Sequence, residues 1–136
     1  MGDASELGVV LWATDVPALA RFLSEVAALG IEEQHPGLAV LSAGAVRLEI
    51  HADESYRGHP WYDALRKEGA ARGIGAELRF RVTDLQGSYR RALALGGIAV
   101  YPPYDAGNQQ ECQVLCPDGF LISLWQPTEA NPLAGA

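Results

Sequence analysis

The chain says much the same thing twice, and that repetition limits its folds more than any other feature. Residues 8–31 read GVVLWATDVPALARFLSEVAALGI, and residues 75–98 read GAELRFRVTDLQGSYRRALALGGI. Each segment opens with an apolar-rich run and reaches Thr-Asp plus an aliphatic residue, Thr14-Asp15-Val16 and Thr83-Asp84-Leu85. Each then continues through a helix-like pattern to a glycine and an isoleucine, Gly30-Ile31 and Gly97-Ile98. The copies lie roughly 68 residues apart, about half the chain, which describes a duplicated module rather than a solenoid of three or more repeats.

At 136 residues and 49% apolar, the chain has the size of one domain (1–136) with a real core. No apolar run approaches the roughly 18 residues of a membrane span, and MGDASELG lacks a basic region before an apolar one. No membrane partner and a cytoplasmic location are expected. Acidic residues outnumber basic ones, 17 against 10, for a formal net charge of −7. That balance argues against a nucleic-acid partner and mildly favours cationic ligands. Cys112 and Cys116 fall in an extended stretch that would hold their Cα atoms about 13 Å apart, too far for a disulfide. They read as ordinary buried thiols.

Residues 9–14 predict a strand, and Asp15 predicts the cap of a helix with Pro17 in its first turn, where a missing N–H costs little. Leu19, Phe22, Leu23, Val26 and Leu29 recur at helical spacing, so this helix buries one face, and Gly30 would stop it. Three short strands follow over 31–34, 38–42 and 46–51, divided by His35-Pro36-Gly37 and Ala43-Gly44-Ala45. The first module (7–51) is thus strand, helix, three strands. Residues 52–73 are the most polar stretch and read as a linker with a short helix over 60–68. The second module (74–127) repeats the order. It has a strand over 76–82, the cap Asp84, a helix over 87–95 and the stop Gly96-Gly97. A strand over 98–101, a PPYDAGN loop, a strand over 110–115, the turn Cys116-Pro117-Asp118-Gly119 and a strand over 120–125 complete it. A ferredoxin-like unit would place its second helix after only two strands, so that fold fits less well.

Two βαβββ modules, each opening with a strand that runs into Thr-Asp, plus a Pro-Asp-Gly turn before an apolar last strand, resemble the vicinal oxygen chelate superfamily. That group holds glyoxalase I, extradiol dioxygenases, fosfomycin-resistance enzymes and bleomycin-resistance proteins. The resemblance spans residues 7–127 and rests on the order and spacing of the elements together. It implies an α+β fold in which two βαβββ modules form a cupped mixed β-sheet, with helices outside and the site inside. Metal-dependent members take one ligand from the first and last strands of each module. Carried over by position, these fall on Gly8, Glu49, Glu77 and Ser123, where catalytic members carry His, Glu, His and Glu. Two carboxylates without an imidazole make a poor transition-metal site, so no metal and no other cofactor is expected.

If those positions face the cup, strand alternation names their neighbours. Val10 and Trp12 join Gly8, Arg47 and His51 flank Glu49, Arg79 and Arg81 follow Glu77, and Leu121 and Trp125 flank Ser123. The alternate residues, such as Leu11, Leu48, Phe80 and Ile122, are apolar and suit the helix side. Charged residues on the cup face could simply be solvated or paired with one another. The functional reading makes Trp12, Arg47, Glu49, His51, Glu77, Arg79, Ser123 and Trp125 a ligand site, with Trp12 and Trp125 as a stacking wall. Glu111 and Gln113 could face the cup too, with their register left open, and Tyr101 and Tyr104 would stand at its rim. His35 and His59, each beside a proline, read as surface residues. The catalytic assignment stays open, with Glu49, His51 and Glu77 as candidate bases. The missing histidines favour the bleomycin-resistance-like branch: a homodimer that sequesters a small-molecule ligand without metal. The competing class is a lyase, isomerase or dioxygenase with a displaced or metal-free site, and a third is a diverged interaction domain. Nothing resembles a phosphate loop or a nucleophile elbow.

Overall fold

The duplication holds in three dimensions. In the computed structural model, which describes residues 7–128, the first copy comprises β1 (Gly8–Ala13), α1 (Val16–Ala27), β2 (Gly30–His35), β3 (Leu38–Ala43) and β4 (Val46–Ala52). A 3₁₀ turn (Asp53–Tyr56) and α2 (Pro60–Arg66) follow. The second copy comprises β5 (Glu77–Arg81), α3 (Leu85–Ala94), β6 (Ile98–Asp105), β7 (Gln109–Leu115) and β8 (Leu121–Pro127). Each copy builds half of the mixed sheet, ordered β1-β4-β3-β2 and β5-β8-β7-β6, with no ladder between the halves. The first strand of each copy pairs in parallel with the last, and the remaining pairs are antiparallel. No helix among the described residues is long and apolar enough to cross a membrane.

The helices begin where the sequence puts them. Asp15 accepts a hydrogen bond from the Ala18 amide at 3.1 Å, and Asp84 accepts one from the Gly87 amide at 3.1 Å. Each satisfies an amide that the first helical turn leaves without a partner. The helix ends differ between copies. After α3, Gly96 takes the expected left-handed conformation at φ 91°. After α1 that role falls to Ala28 at φ 59°, and Gly30 already opens β2. Gly97 has a different duty. A Cβ there would sit 2.8 Å from the Ala92 carbonyl oxygen and 3.0 Å from the Phe22 ring. Only glycine lets the end of α3 approach α1 of the other copy so closely.

The apolar faces meet in one core. Leu11, Ala13, Leu48 and Ile50 of the first copy and Ile122 and Leu124 of the second join α1 and α3 in a single cluster. Cys112 and Cys116 are free and buried, and burial pushes their thiols up to about 11 and about 12. They are inert packing residues, as expected. The PPYDAGN segment, by contrast, is largely strand. β6 runs through Pro102 and Pro103, with its register slipping between Tyr101 and Tyr104. The prolines are tolerated because β6 is an edge strand and needs no inward-facing N–H there.

One polar junction ties the linker to both copies. Arg72 donates to both carboxylate oxygens of Asp53, at 2.7 and 2.6 Å, and to the Trp12 carbonyl at 3.0 Å. Asp118, in the Pro-Asp-Gly turn at φ 70°, reaches across to the other copy. It accepts from the Thr14 amide at 3.1 Å and the Thr14 hydroxyl at 2.8 Å, and lies 3.9 Å from Arg72 Nε.

Asp53 is 2% exposed, and its hydrogen bond from Arg72 holds its pKa below the ordinary 3.8. A carboxylate with a lowered folded pKa stabilises the fold above its unfolded pKa, and that stabilisation disappears as pH falls through the folded value. Asp53→Asn leaves Arg72 without its partner and should cost about 3–5 kcal/mol at neutral pH in urea unfolding. The gap to wild type should narrow in strong acid.

Candidate functional site

Sheet register decides which side chains share the cup face. Across the first half it aligns Trp12 with His51, Val10 with Glu49 and Gly8 with Arg47. Across the second it forms the rows Arg79–Ser123–Gln113–Tyr101 and Arg81–Trp125–Glu111–Tyr104, and it aligns Glu77 with Leu121. Directly paired residues point the same way, so Glu111 and Gln113 lie on the cup face.

The first half carries a chain of polar contacts. Glu49 accepts from Arg47 Nε at 3.0 Å and pairs with His51 Nε2 at 2.9 Å, while His51 Nδ1 lies 2.7 Å from the Tyr56 hydroxyl. The hydrogen bond from His51, then that from Arg47, holds Glu49 below the usual carboxylate range. Glu49 therefore only accepts, so His51 donates to it from Nε2, and Nδ1 is placed to accept a hydrogen bond from the Tyr56 hydroxyl. Burial pushes the Tyr56 phenol up, so it stays protonated and donates. The Tyr56 ring also stacks on Trp12, with centroids 3.7 Å apart and planes 12° from parallel. His59 meets Trp12 edge-on at 4.9 Å, and Trp61 stands 6.3 Å away.

Tyr56, His59 and Trp61 all come from the segment that reads as a linker. His59 is exposed, as its proline neighbour suggests, yet its ring nitrogen accepts from the Trp61 amide at 3.0 Å and so caps α2. Their signal in the sequence is crowding: Tyr56, His59, Trp61 and Tyr62 fall together in an otherwise polar stretch.

In the second half Arg79 is the hub. It donates to Glu111 at 2.6 Å and to the Ser123 hydroxyl at 3.2 Å, and stands 3.7 Å from Glu77. Glu111 also accepts from the Tyr104 hydroxyl at 2.8 Å and from the Gln109 amide. Arg79 first, then Tyr104, holds the Glu111 carboxyl below its ordinary range. Gln113 donates to Glu77 at 3.3 Å, Tyr101 meets Tyr104 edge-on at 6.2 Å, and the Arg81 guanidinium lies 5.5 Å from the Trp125 ring centre.

The residues expected to form one ligand site thus fall into two groups. Trp12, Arg47, Glu49 and His51 interact in one, and Glu77, Arg79, Ser123 and Trp125 belong to the other. Trp12 and Trp125 are not aromatic neighbours; Trp61 takes the place beside Trp12. Between β1 and β5 runs a groove of about 510 Å³ whose lining includes Val10, Trp12, Trp61, Leu65, Phe120 and Leu121. Its charged lining residue is Arg72, already committed to Asp53. The donor set does not suit a transition metal. Gly8 offers no ligand atom, Glu49 is engaged by Arg47 and His51, and Ser123 lies buried against Arg79. Among the described residues no three His, Cys, Asp or Glu side chains are grouped to hold an ion.

The fold is that of the glyoxalase/bleomycin resistance/dioxygenase proteins. A glyoxalase/bleomycin resistance protein/dioxygenase family enzyme from Burkholderia phytofirmans PsJN superposes with a TM-score of 0.72 at 20% identity, covering 92% of this chain and 100% of that one. A glyoxalase/bleomycin resistance protein from Albidiferax ferrireducens T118 gives 0.67 at 17% identity over 90% and 98% of the two chains. Lactoylglutathione lyase from Agrobacterium tumefaciens gives 0.61 at 15% identity over 93% and 96%. No family model and no curated protein matches the sequence.

Two substitutions separate the roles of Tyr56. Tyr56→Phe keeps the stack on Trp12 and deletes the hydrogen bond to His51, which should cost about 0.5–1.5 kcal/mol. Tyr56→Ala also uncovers Trp12, adding about 0.5–1.5 kcal/mol of stacking to the lost burial. Only the alanine variant should shift tryptophan emission to the red.

Proposed function

We propose that this protein binds a small, planar and largely apolar organic molecule against Trp12 and Trp61, without a resident transition metal and without transforming it, and that it works as a homodimer. The observation that carries the reading is the groove between β1 and β5, apolar along most of its length and bounded by two indoles. A cleft of this kind, a few hundred cubic ångströms with aromatic walls, is the ordinary form of a small-molecule site. Arg47, Glu49 and Glu77 have partners within the chain, so they recruit a polar or cationic ligand weakly. That favours an uncharged aromatic body over the cationic ligands that net charge suggests. The names of the structural relatives include a bleomycin resistance protein and a lyase, and the donor set here supports binding over metal-dependent turnover. The dimer is supported by the free edge β6 and by the 63% exposure of Ile98 and 58% of Tyr101 on it.

N-phenyl-1-naphthylamine is a suitable probe, being planar, uncharged and fluorescent. Its emission should rise on binding at micromolar concentrations. Trp12→Ala should weaken binding by about 10- to 100-fold, the equivalent of roughly 1.5–3 kcal/mol of stacking and burial. Leu65→Arg, which puts a charge into the groove, should abolish it. Equal binding by all three proteins would show the site to be elsewhere. Light scattering that returns a 14.5 kDa monomer at tens of micromolar would remove the dimer.

A second reading has its own observation, the Glu49–His51–Tyr56 chain at 2.9 and 2.7 Å. A carboxylate, an imidazole and a hydroxyl in that order can move a proton. If small phenolic or keto compounds are consumed at rates that vanish in His51→Gln while probe binding persists, the protein is an enzyme and sequestration fails.

A further inference from the structure

Three oxygen-bearing side chains on the second half of the cup converge on one cation, and that cation is part of the chain. Arg79 Nη2 donates to Glu111 Oε1 at 2.6 Å, and Nη1 donates to Ser123 Oγ at 3.2 Å and stands 3.7 Å from Glu77 Oε2. Glu111 is only 8% exposed and Ser123 is fully buried, so neither oxygen can rely on bulk water. Glu77 and Ser123 are two of the positions where the family resemblance places metal ligands.

We propose that the Arg79 guanidinium takes the place of a metal ion in this half of the cup, as the resident cation that pairs with Glu77 and Glu111, offsets one of their two negative charges and orders Ser123. A buried carboxylate requires a charge partner, and leaving one uncompensated is strongly destabilising. A guanidinium meets that need permanently, because it does not lose its proton in proteins and cannot be chelated away. Its planar fork sends separate N–H bonds to two acceptors, a directed version of what a divalent ion does through its coordination sphere. Tyr104 and Gln109 add hydrogen bonds to Glu111, so that three donors hold this carboxylate within the chain. The Arg47–Glu49 pair at 3.0 Å repeats the device in the first half. The inference goes beyond the metal-free reading, which rests on missing ligands, by naming the group that occupies their place. Its test needs no knowledge of the ligand, so it can fail while ligand binding stands.

Thermal unfolding of Arg79→Met, Arg79→Lys and wild type, each with and without millimolar MgCl₂, MnCl₂ or guanidinium chloride, decides it. The midpoint of wild type should ignore all three salts. That of Arg79→Met should fall by roughly 5–10 °C and recover in part when one of these cations is added. Arg79→Lys, which keeps the charge, should fall less. A wild-type midpoint that rises with Mn²⁺ and loses the response in Glu77→Gln would overturn the proposal. So would an Arg79→Met midpoint that is unchanged, or lowered and restored by no cation. If Arg79→Met fails to fold, the double variant Arg79→Met/Glu111→Gln decides: recovery of folding supports charge neutralisation, and continued failure overturns it.

Discussion

Asp53 is a carboxylate with 2% of its surface exposed, held there by Arg66 at 3.5 Å and by Arg72, which grips both of its oxygens. The pair fixes the point where the first copy ends. The same guanidinium holds the carbonyl of Trp12 at the end of β1 and lies near Asp118, which caps the crossing to Thr14. Chain segments far apart in sequence thus share one set of charges. A bidentate arginine suits this better than lysine, since its planar fork sets direction as well as charge. With β1 and β5 unpaired by any ladder, this junction and the packing of α1 on α3 hold the copies in register. The groove exists because the edges are held beside each other without closing.

The cup shows the same economy of charge. The net charge of −7 suggests an acidic site. Yet Glu49 is met by Arg47, and Glu77 and Glu111 share Arg79. The acidic surplus lies elsewhere, as on β2, where Glu32 and Glu33 are exposed along a free edge. Charges in that position discourage strand-to-strand association of that edge. The groove between β1 and β5, by contrast, is lined mostly by apolar side chains.

Much of this fold was legible in the residues because duplication supplies its own control. Two aspartates that cap two helices, with strands of matching order around them, reinforce each other in a way no single motif does. Strand alternation likewise separated the helix side from the cup side correctly at Leu11, Leu48 and Ile122, all buried. The errors fall where local chemistry is ambiguous. Gly30 looks like a helix stop, but the helix ended earlier, at Ala28, which takes the left-handed conformation there. Paired prolines signal a loop unless the strand is an edge, and edge status is a property of the sheet. The site was harder still. Register across β7 and the return of the 53–66 segment onto Trp12 are tertiary facts, carried by long-range contacts that no window of sequence contains.

That returning segment belongs to neither copy. The two βαβββ copies supply a scaffold shared with proteins of 15–20% identity. Tyr56, His59 and Trp61 lie between the copies, outside the duplicated pattern, and still build most of the aromatic surround of Trp12. Between the buried Asp53 and Arg72, the residues of this segment lie outside the core made by α1, α3 and the strands. Specificity can therefore change in the linker while the sheet stays fixed. Trp12 is the point where the two meet: its backbone is held by Arg72 and its ring is covered by Tyr56. A ligand that displaces Tyr56 from that ring would also break the hydrogen bond to His51, while Glu49 keeps His51 Nε2 and Arg47 as partners.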